Sequence, residues 1–159
     1  MRLLVAGSRD YANQSRSVIK LLDSITDFTY SQTGNQDDIC PPPNFCHTLG
    51  LQFEDITEVV SGCAKGIDTA AILWAESHSI PVKKYPAVWT VDGKTDMAAG
   101  FKRNVLMADY CEAAIIIWDG KSRGTKHMMS ELDKRGKEFL LWKNLKVRKT
   151  VKEVVSQTL

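Results

Sequence analysis

One short theme recurs along the chain: an apolar run closes on a glycine turn, and a stretch with apolar residues at helical spacing follows. Leu3 to Ala6 ends at Gly7, and Ser17 to Ile25 then carries Val18, Leu21, Leu22 and Ile25 on one helical face. Ile56 to Val60 ends at Ser61-Gly62 and leads into Ile67, Ala70, Ala71, Leu73, Trp74 and Ala75. Pro81 to Tyr85 reads as a third strand, Ala98 to Ala108 as a helix, Ala113 to Trp118 as a fully buried strand and His127 to Lys134 as a helix. A last strand, Glu138 to Trp142, precedes a small helix near Val151 to Val155. Strands that alternate with helices and are apolar along their whole length require a parallel sheet covered on both faces. The expected class is therefore α/β, a Rossmann-like three-layer sandwich with a parallel central sheet.

The rhythm breaks from Asp27 to Glu54, a polar stretch holding Gly34-Asn35 and Pro41-Pro42-Pro43, which reads as an inserted loop. With 159 residues and 43% hydrophobic content, one domain over 1–159 is the expectation. The first apolar run is too short for a signal peptide, and nothing approaches the roughly 20 apolar residues that span a bilayer. A cytoplasmic protein with no membrane partner is expected. Four cysteines, Cys40, Cys46, Cys63 and Cys111, are few for a disulfide scaffold and read as reduced thiols. Cys40, Cys46 and His47 lack the paired spacing of a zinc site, so neither metal nor cofactor is expected. A net charge of +2 is small for a nucleic-acid footprint, so nucleic acid is not expected as a partner.

In a parallel sheet, ligands bind outside the carboxyl ends of the strands, where the strand order reverses, and the glycine turns fall at those ends. Free amides and the positive end of a helix there favour an anion. Neither G-x-G-x-x-G nor G-x-x-x-x-G-K-[ST] is present, so hydride transfer and P-loop hydrolysis have no support. What remains is phosphate or ribose binding without either signature.

Four motifs occur in order: Gly7-Ser8-Arg9, then Ser61-Gly62-x-Ala64-x-Gly66-x-Asp68, then Ala99-Gly100-x-x-Arg103-Asn104, then Asp119-Gly120-x-Ser122-x-Gly124-Thr125-x-His127. Together they resemble the SLOG superfamily, specifically its YspA/YpsA-related small proteins of bacteria and phages, over nearly the whole chain except the insert. More distantly they resemble DNA-processing protein A and the lonely-guy phosphoribohydrolases. The resemblance implies a Rossmann-like protein that binds a nucleotide or nucleotide-derived small molecule, ADP-ribose and NAD relatives included. It also implies a homo-oligomer, since similar proteins self-associate through exposed helix faces; the insert could serve as interface or as lid.

Each motif has a plain and a functional reading. Gly7-Ser8-Arg9 could be a tight turn needing positive φ, or a phosphate grip by backbone amides and the Arg9 guanidinium. Ser61-Gly62 and Asp68 could cap a helix; alternatively Gly62 admits a ligand, Lys65 meets its charge and Asp68 accepts a ribose hydroxyl proton. Arg103-Asn104 opens a helix whose Val105, Leu106 and Ala108 look buried, and the resemblance puts the arginine at the cleft, where a guanidinium suits phosphate. Ser122, Gly124 and Thr125 form an N-cap, a phosphate cradle, or both. Trp89, in the loop after the third strand, could lie against a nucleobase, whereas Trp74, Trp118 and Trp142 look like core.

Turnover has weaker support. The related phosphoribohydrolases carry a glutamate where this chain has Met128, and Glu131 lies one turn further along. Asp68, Asp119, Glu131 and His127 are the remaining acid or base candidates, and no pair among them has a spacing that demands chemistry. Asp68 and Glu131 are the catalytic residues an N-glycosidase or phosphohydrolase would use. Single-stranded DNA binding is the third class, with Lys143 to Lys152 as its basic segment.

Overall fold

The computed structural model describes residues 1–9, 15–26, 55–143 and 146–147. The insert from Asp27 to Glu54, including Cys40, Cys46 and His47, and the helix expected near Val151 to Val155 lie outside the described residues.

Five strands, β1 (Arg2–Gly7), β2 (Glu58–Ser61), β3 (Val82–Lys84), β6 (Ala113–Trp118) and β7 (Glu138–Lys143), pair in parallel in the order β3-β2-β1-β6-β7. A short strand, β8 (Lys146–Val147), adds antiparallel to β7. The side-chain period of two sends alternate residues of each strand to opposite faces. Leu3, Val5, Ile115 and Ile117 pack with Val18, Leu21 and Leu22 of α1 (Ser15–Thr26) and with Ile67, Ala70 and Trp74 of α2 (Ile67–Ser77). Leu4, Ala6, Ala114 and Ile116 pack with Met107 and Ala108 of α3 (Ala99–Tyr110) and with Met128, Met129 and Leu132 of α4 (Arg123–Lys134). The result is the Rossmann-like α/β sandwich with a five-strand parallel sheet flanked by helices.

The departures from expectation are local. The loop after β3 contains a hairpin, β4 (Thr90–Val91) with β5 (Lys94–Thr95), where a loop alone was expected. Its turn is Asp92-Gly93, both at positive φ (51° and 75°), the Asp-Gly signature of a two-residue hairpin. Helix α4 begins at Arg123, four residues before His127, because Ser122 caps it: its Oγ accepts the Thr125 amide at 3.4 Å. Leu73 and Leu106, both assigned to buried faces, point outward at 49% and 56% exposure, and Met107 takes the core position on α3. Trp74, Trp118 and Trp142 are core residues, as expected. Among the described residues no helix is long and apolar enough to cross a membrane.

Candidate functional site

From β1 the chain moves outward to β2 and β3, then returns to place β6 on the other side of β1, so the strand order reverses between β1 and β6. Side by side, the carboxyl ends of two diverging connections leave a crevice. A cleft of about 450 Å³ opens there. Gly7 and Arg9 from the β1 end, Ala64 and Asp68 from the β2 end, and Asp119, Lys121, Ser122, Gly124 and Thr125 from the β6 end line it. Helix α3 contributes Gly100, Phe101, Arg103, Asn104 and Met107, and the hairpin segment contributes Trp89 and Met97.

Of the residues singled out from the sequence, Gly7, Arg9, Asp68, Trp89, Arg103, Asn104, Ser122, Gly124 and Thr125 therefore meet on one cavity. The others lie beside or beneath it. Ser8 is buried under the cleft, its Oγ accepting the Asp119 amide at 3.0 Å while its own amide donates to Ile117 O at 3.0 Å. This clamps the end of β1 to the end of β6. Ser61, fully buried, donates from Oγ to Asp68 O at 3.1 Å and so positions the first turn of α2. Lys65 is exposed and does not line the cleft. Glu131 is also outside the lining: its carboxylate meets Arg135 Nη1 at 2.6 Å, Lys134 Nζ at 3.2 Å and His127 Nε2 at 3.3 Å.

Two glycines stand in tight surroundings, Gly7 against backbone and core and Gly62 against the ends of two side chains. Gly7 is not at positive φ, contrary to the turn reading; instead a Cβ there would stand 2.3 Å from Ile117 O and 2.6 Å from Ile67 Cγ1. A Cβ at Gly62 would stand 2.9 Å from Asp68 Oδ2 and 3.1 Å from Arg103 Nε. The carboxylate and the guanidinium thus flank Gly62, whose carbonyl accepts Arg103 Nη1 at 2.9 Å.

Asp68 is 3% exposed and receives the Ala64 amide on Oδ2 at 3.3 Å, whereas Oδ1 and Arg103 Nε, both buried, have no hydrogen-bond partner. Burial pushes the Asp68 carboxyl up to about 6, against the Arg103 charge, the Ala64 and Gly7 amides and Arg9, which hold it down. A carboxylate in that range inside a cleft can accept a hydrogen bond as the ion or exchange a proton near neutral pH.

Asn104 braces one wall. Its Nδ2 donates to Gly124 O at 3.0 Å and to His127 Nδ1 at 3.2 Å, tying α3 to α4. With Nδ1 accepting, His127 Nε2–H faces Glu131, and burial lowers the His127 pKa against the pull of Glu131. Phe101 stacks on that ring at 4.3 Å between centroids. At the mouth, Phe101, Trp89 and Met97 are exposed by 47%, 43% and 84%. The sequence pointed to Trp89 but missed Phe101, Met97 and Lys121; an aromatic residue on the polar side of α3 is the signal that marks Phe101.

The chain matches no known protein family and no curated protein. Its fold does match solved structures. DNA processing protein A from Streptococcus pneumoniae superposes with a TM-score of 0.61 at 16% identity, covering 98% of this chain and 61% of that one. DNA processing protein A from Helicobacter pylori, described for its unique single-stranded DNA binding mode, superposes with a TM-score of 0.51 at 15% identity, covering 99% and 73%. This chain thus spans 61% of the length of the Streptococcus protein. The likeness at this identity is one of fold, the Rossmann-like fold of the DNA processing proteins. It corrects one expectation. A protein of this fold binds single-stranded DNA, so nucleic acid is not ruled out as a partner by a net charge of +2. Net charge averages over the whole chain, while Arg9, Arg103 and Lys121 line one cleft, together with Asp68 and Asp119.

Proposed function

We propose that this chain binds a phosphorylated nucleotide in the cleft between the ends of β1 and β6, as a ligand-binding or sensor protein. One observation carries the reading: at the point where the strand order reverses, cationic side chains, the capped start of α4 and exposed aromatic rings converge on a cavity of nucleotide size. Arg9 and Lys121, with the first-turn amides of α4, suit the phosphates. Trp89 and Phe101 suit the base, because an exposed aromatic face at a cleft mouth stacks on any nucleobase. The resemblance of the four motifs to those of YspA/YpsA-related proteins supports the same reading, and ADP-ribose or an NAD relative has the required parts.

A second reading is single-stranded DNA binding, favoured by the exposure of Trp89 and Phe101 and by the DNA-binding Helicobacter protein of like fold. In that case the cleft mouth holds one nucleotide unit of a strand. Turnover of a bound nucleotide would draw on Asp68, the buried cleft carboxylate.

Thermal unfolding of the full chain with AMP, ADP, ATP, NAD, ADP-ribose and an oligodeoxynucleotide tests the reading. A ligand at 100 times its dissociation constant stabilises by about 2.7 kcal/mol. A shift with a mononucleotide that Arg9→Ala reduces supports the leading reading. A shift with the oligonucleotide alone, falling steeply with salt, replaces it with the second. Product analysis of the same mixtures reports turnover.

A further inference from the structure

We infer that the floor of the cleft reads the sugar, and that Asp68 and Arg103 together hold a free ribose hydroxyl, so the site takes ribonucleotides in preference to deoxynucleotides. This rests on the nucleotide reading above and deepens it.

Two polar groups in the cleft are left over by the fold. Asp68 Oδ1 is an acceptor and Arg103 Nε–H is a donor; both are buried, neither makes a hydrogen bond of good geometry, although the Gly7 amide lies near enough to the carboxylate to lower its pKa, and both residues line the cavity. Buried polar atoms are nearly always paired, so an orphaned acceptor and an orphaned donor on the two side chains that flank Gly62 point to a group that arrives from outside. The chemistry of that group follows. A phosphate oxygen could accept from Arg103 but would set a second negative charge against Asp68. An ammonium could donate to Asp68 but has nothing to offer Nε–H. A hydroxyl satisfies both, donating to Oδ1 and accepting from Nε–H.

Position within the cleft gives the same answer. The phosphates have Arg9, Lys121 and the start of α4, and the base has Trp89 and Phe101 at the mouth. Between phosphate and base in any nucleotide lies the sugar. Arg103, assigned to phosphate from the sequence, is thereby reassigned: Gly62 O already takes Nη1, which aims the guanidinium beside Asp68. Gly62 leaves no room for a side chain that would cover the pair.

The test is calorimetric titration of the full chain with AMP, GMP, CMP and UMP, each beside its 2′,3′-dideoxy counterpart. Removing the hydroxyls leaves both buried groups unpaired, so the ribonucleotide that binds should do so at least about tenfold more tightly than its dideoxy partner. In Asp68→Ala that ratio should fall toward one, with circular dichroism reporting that the variant is folded. Equal affinity of ribo and dideoxy forms in the unaltered protein overturns the inference and leaves the nucleotide reading standing. Absence of binding by every nucleotide here and in the thermal-unfolding panel overturns both. A preference that follows the base and ignores the sugar also overturns it, transferring Asp68 and Arg103 to base recognition.

Discussion

The guanidinium carbon of Arg9 lies 5.9 Å from the centre of the Trp89 ring, although one residue leaves β1 and the other precedes the hairpin. The contact joins a cation of the cleft lining to the aromatic ring at the cleft mouth. Trp89 is 43% exposed, while Trp74 and Trp142 are fully buried and Trp118 nearly so. A base stacking on Trp89 is therefore expected to quench only the solvent-accessible part of the tryptophan fluorescence. Trp89→Ala should change stability by no more than about 0.5 kcal/mol and weaken nucleotide binding by about 1–3 kcal/mol. Urea unfolding and a fluorescence titration measure the two effects; a large loss of stability with unchanged binding would assign the ring to packing.

Asp68 gives a pH signature. Its carboxyl is raised from 3.8 to about 6 in the folded chain, so the folded state holds this proton more tightly than the unfolded state does. The stabilising contribution of the protonated form is complete below about 4 and is lost as pH rises through about 6. At pH 8 the ionised group costs about 3 kcal/mol by this linkage. Asp68→Asn, which removes the buried charge, should be more stable than the unaltered chain at pH 8, with the difference closing toward pH 4. Urea titrations at several pH values measure the gap, and a constant gap would contradict the raised carboxyl.

Gly124 separates helix energetics from ligand contact. A Cβ at this position meets nothing within 4 Å, and the residue lies in the first turn of α4 facing the cleft. Gly124→Ala should stabilise the free protein by about 0.5–1 kcal/mol through the lower conformational freedom of the unfolded chain. The same methyl group stands where a phosphate would sit, so nucleotide affinity should fall. Higher stability with undiminished affinity would move the phosphates away from α4.

Gly7 has no such freedom. Its missing side chain lets β1 approach Ile117 O and Ile67 closely, and both neighbours belong to packed core elements. Gly7→Ala should cost about 1–3 kcal/mol or more by overpacking. Differential scanning calorimetry of the unliganded protein is the measurement, and a midpoint unchanged by the substitution would show that the strand ends can move apart.

The sheet and its four described helices were legible because the strands are apolar throughout and the helices carry a clear period, as in Ala113 to Trp118 and in Val18, Leu21 and Leu22. Where the period blurred, the reading slipped: the outward turn of Leu106 follows from α3 having Met107 and Ala108 as its core side. The glycine turns were found, yet the reason for Gly7 was not, since a close approach to Ile117 is a fact about two distant segments. Ser8 and Ser61 stood beside the motif glycines but serve as buried fasteners beneath the cleft. Phe101 and Met97 escaped because an exposed apolar residue is ordinary in isolation and acquires meaning only beside Trp89 and the cavity. Neither orphaned atom of Asp68 and Arg103 could be seen before the chain was folded.

The hairpin from Thr90 to Thr95 hangs on the rim of a cavity whose floor is made of strand ends. The floor is welded to the core through Gly7, Ser8 and Ser61, whereas every residue of the hairpin is exposed. Evolution, or a protein engineer, can therefore exchange residues 88–95 almost as a cartridge, leaving Asp96, whose carboxylate accepts the Ala98 amide and Lys102 Nζ at the start of α3. A change of base preference would pass through the rim at little cost to folding, while the chemistry of the sugar and phosphates would remain fixed by the sheet below.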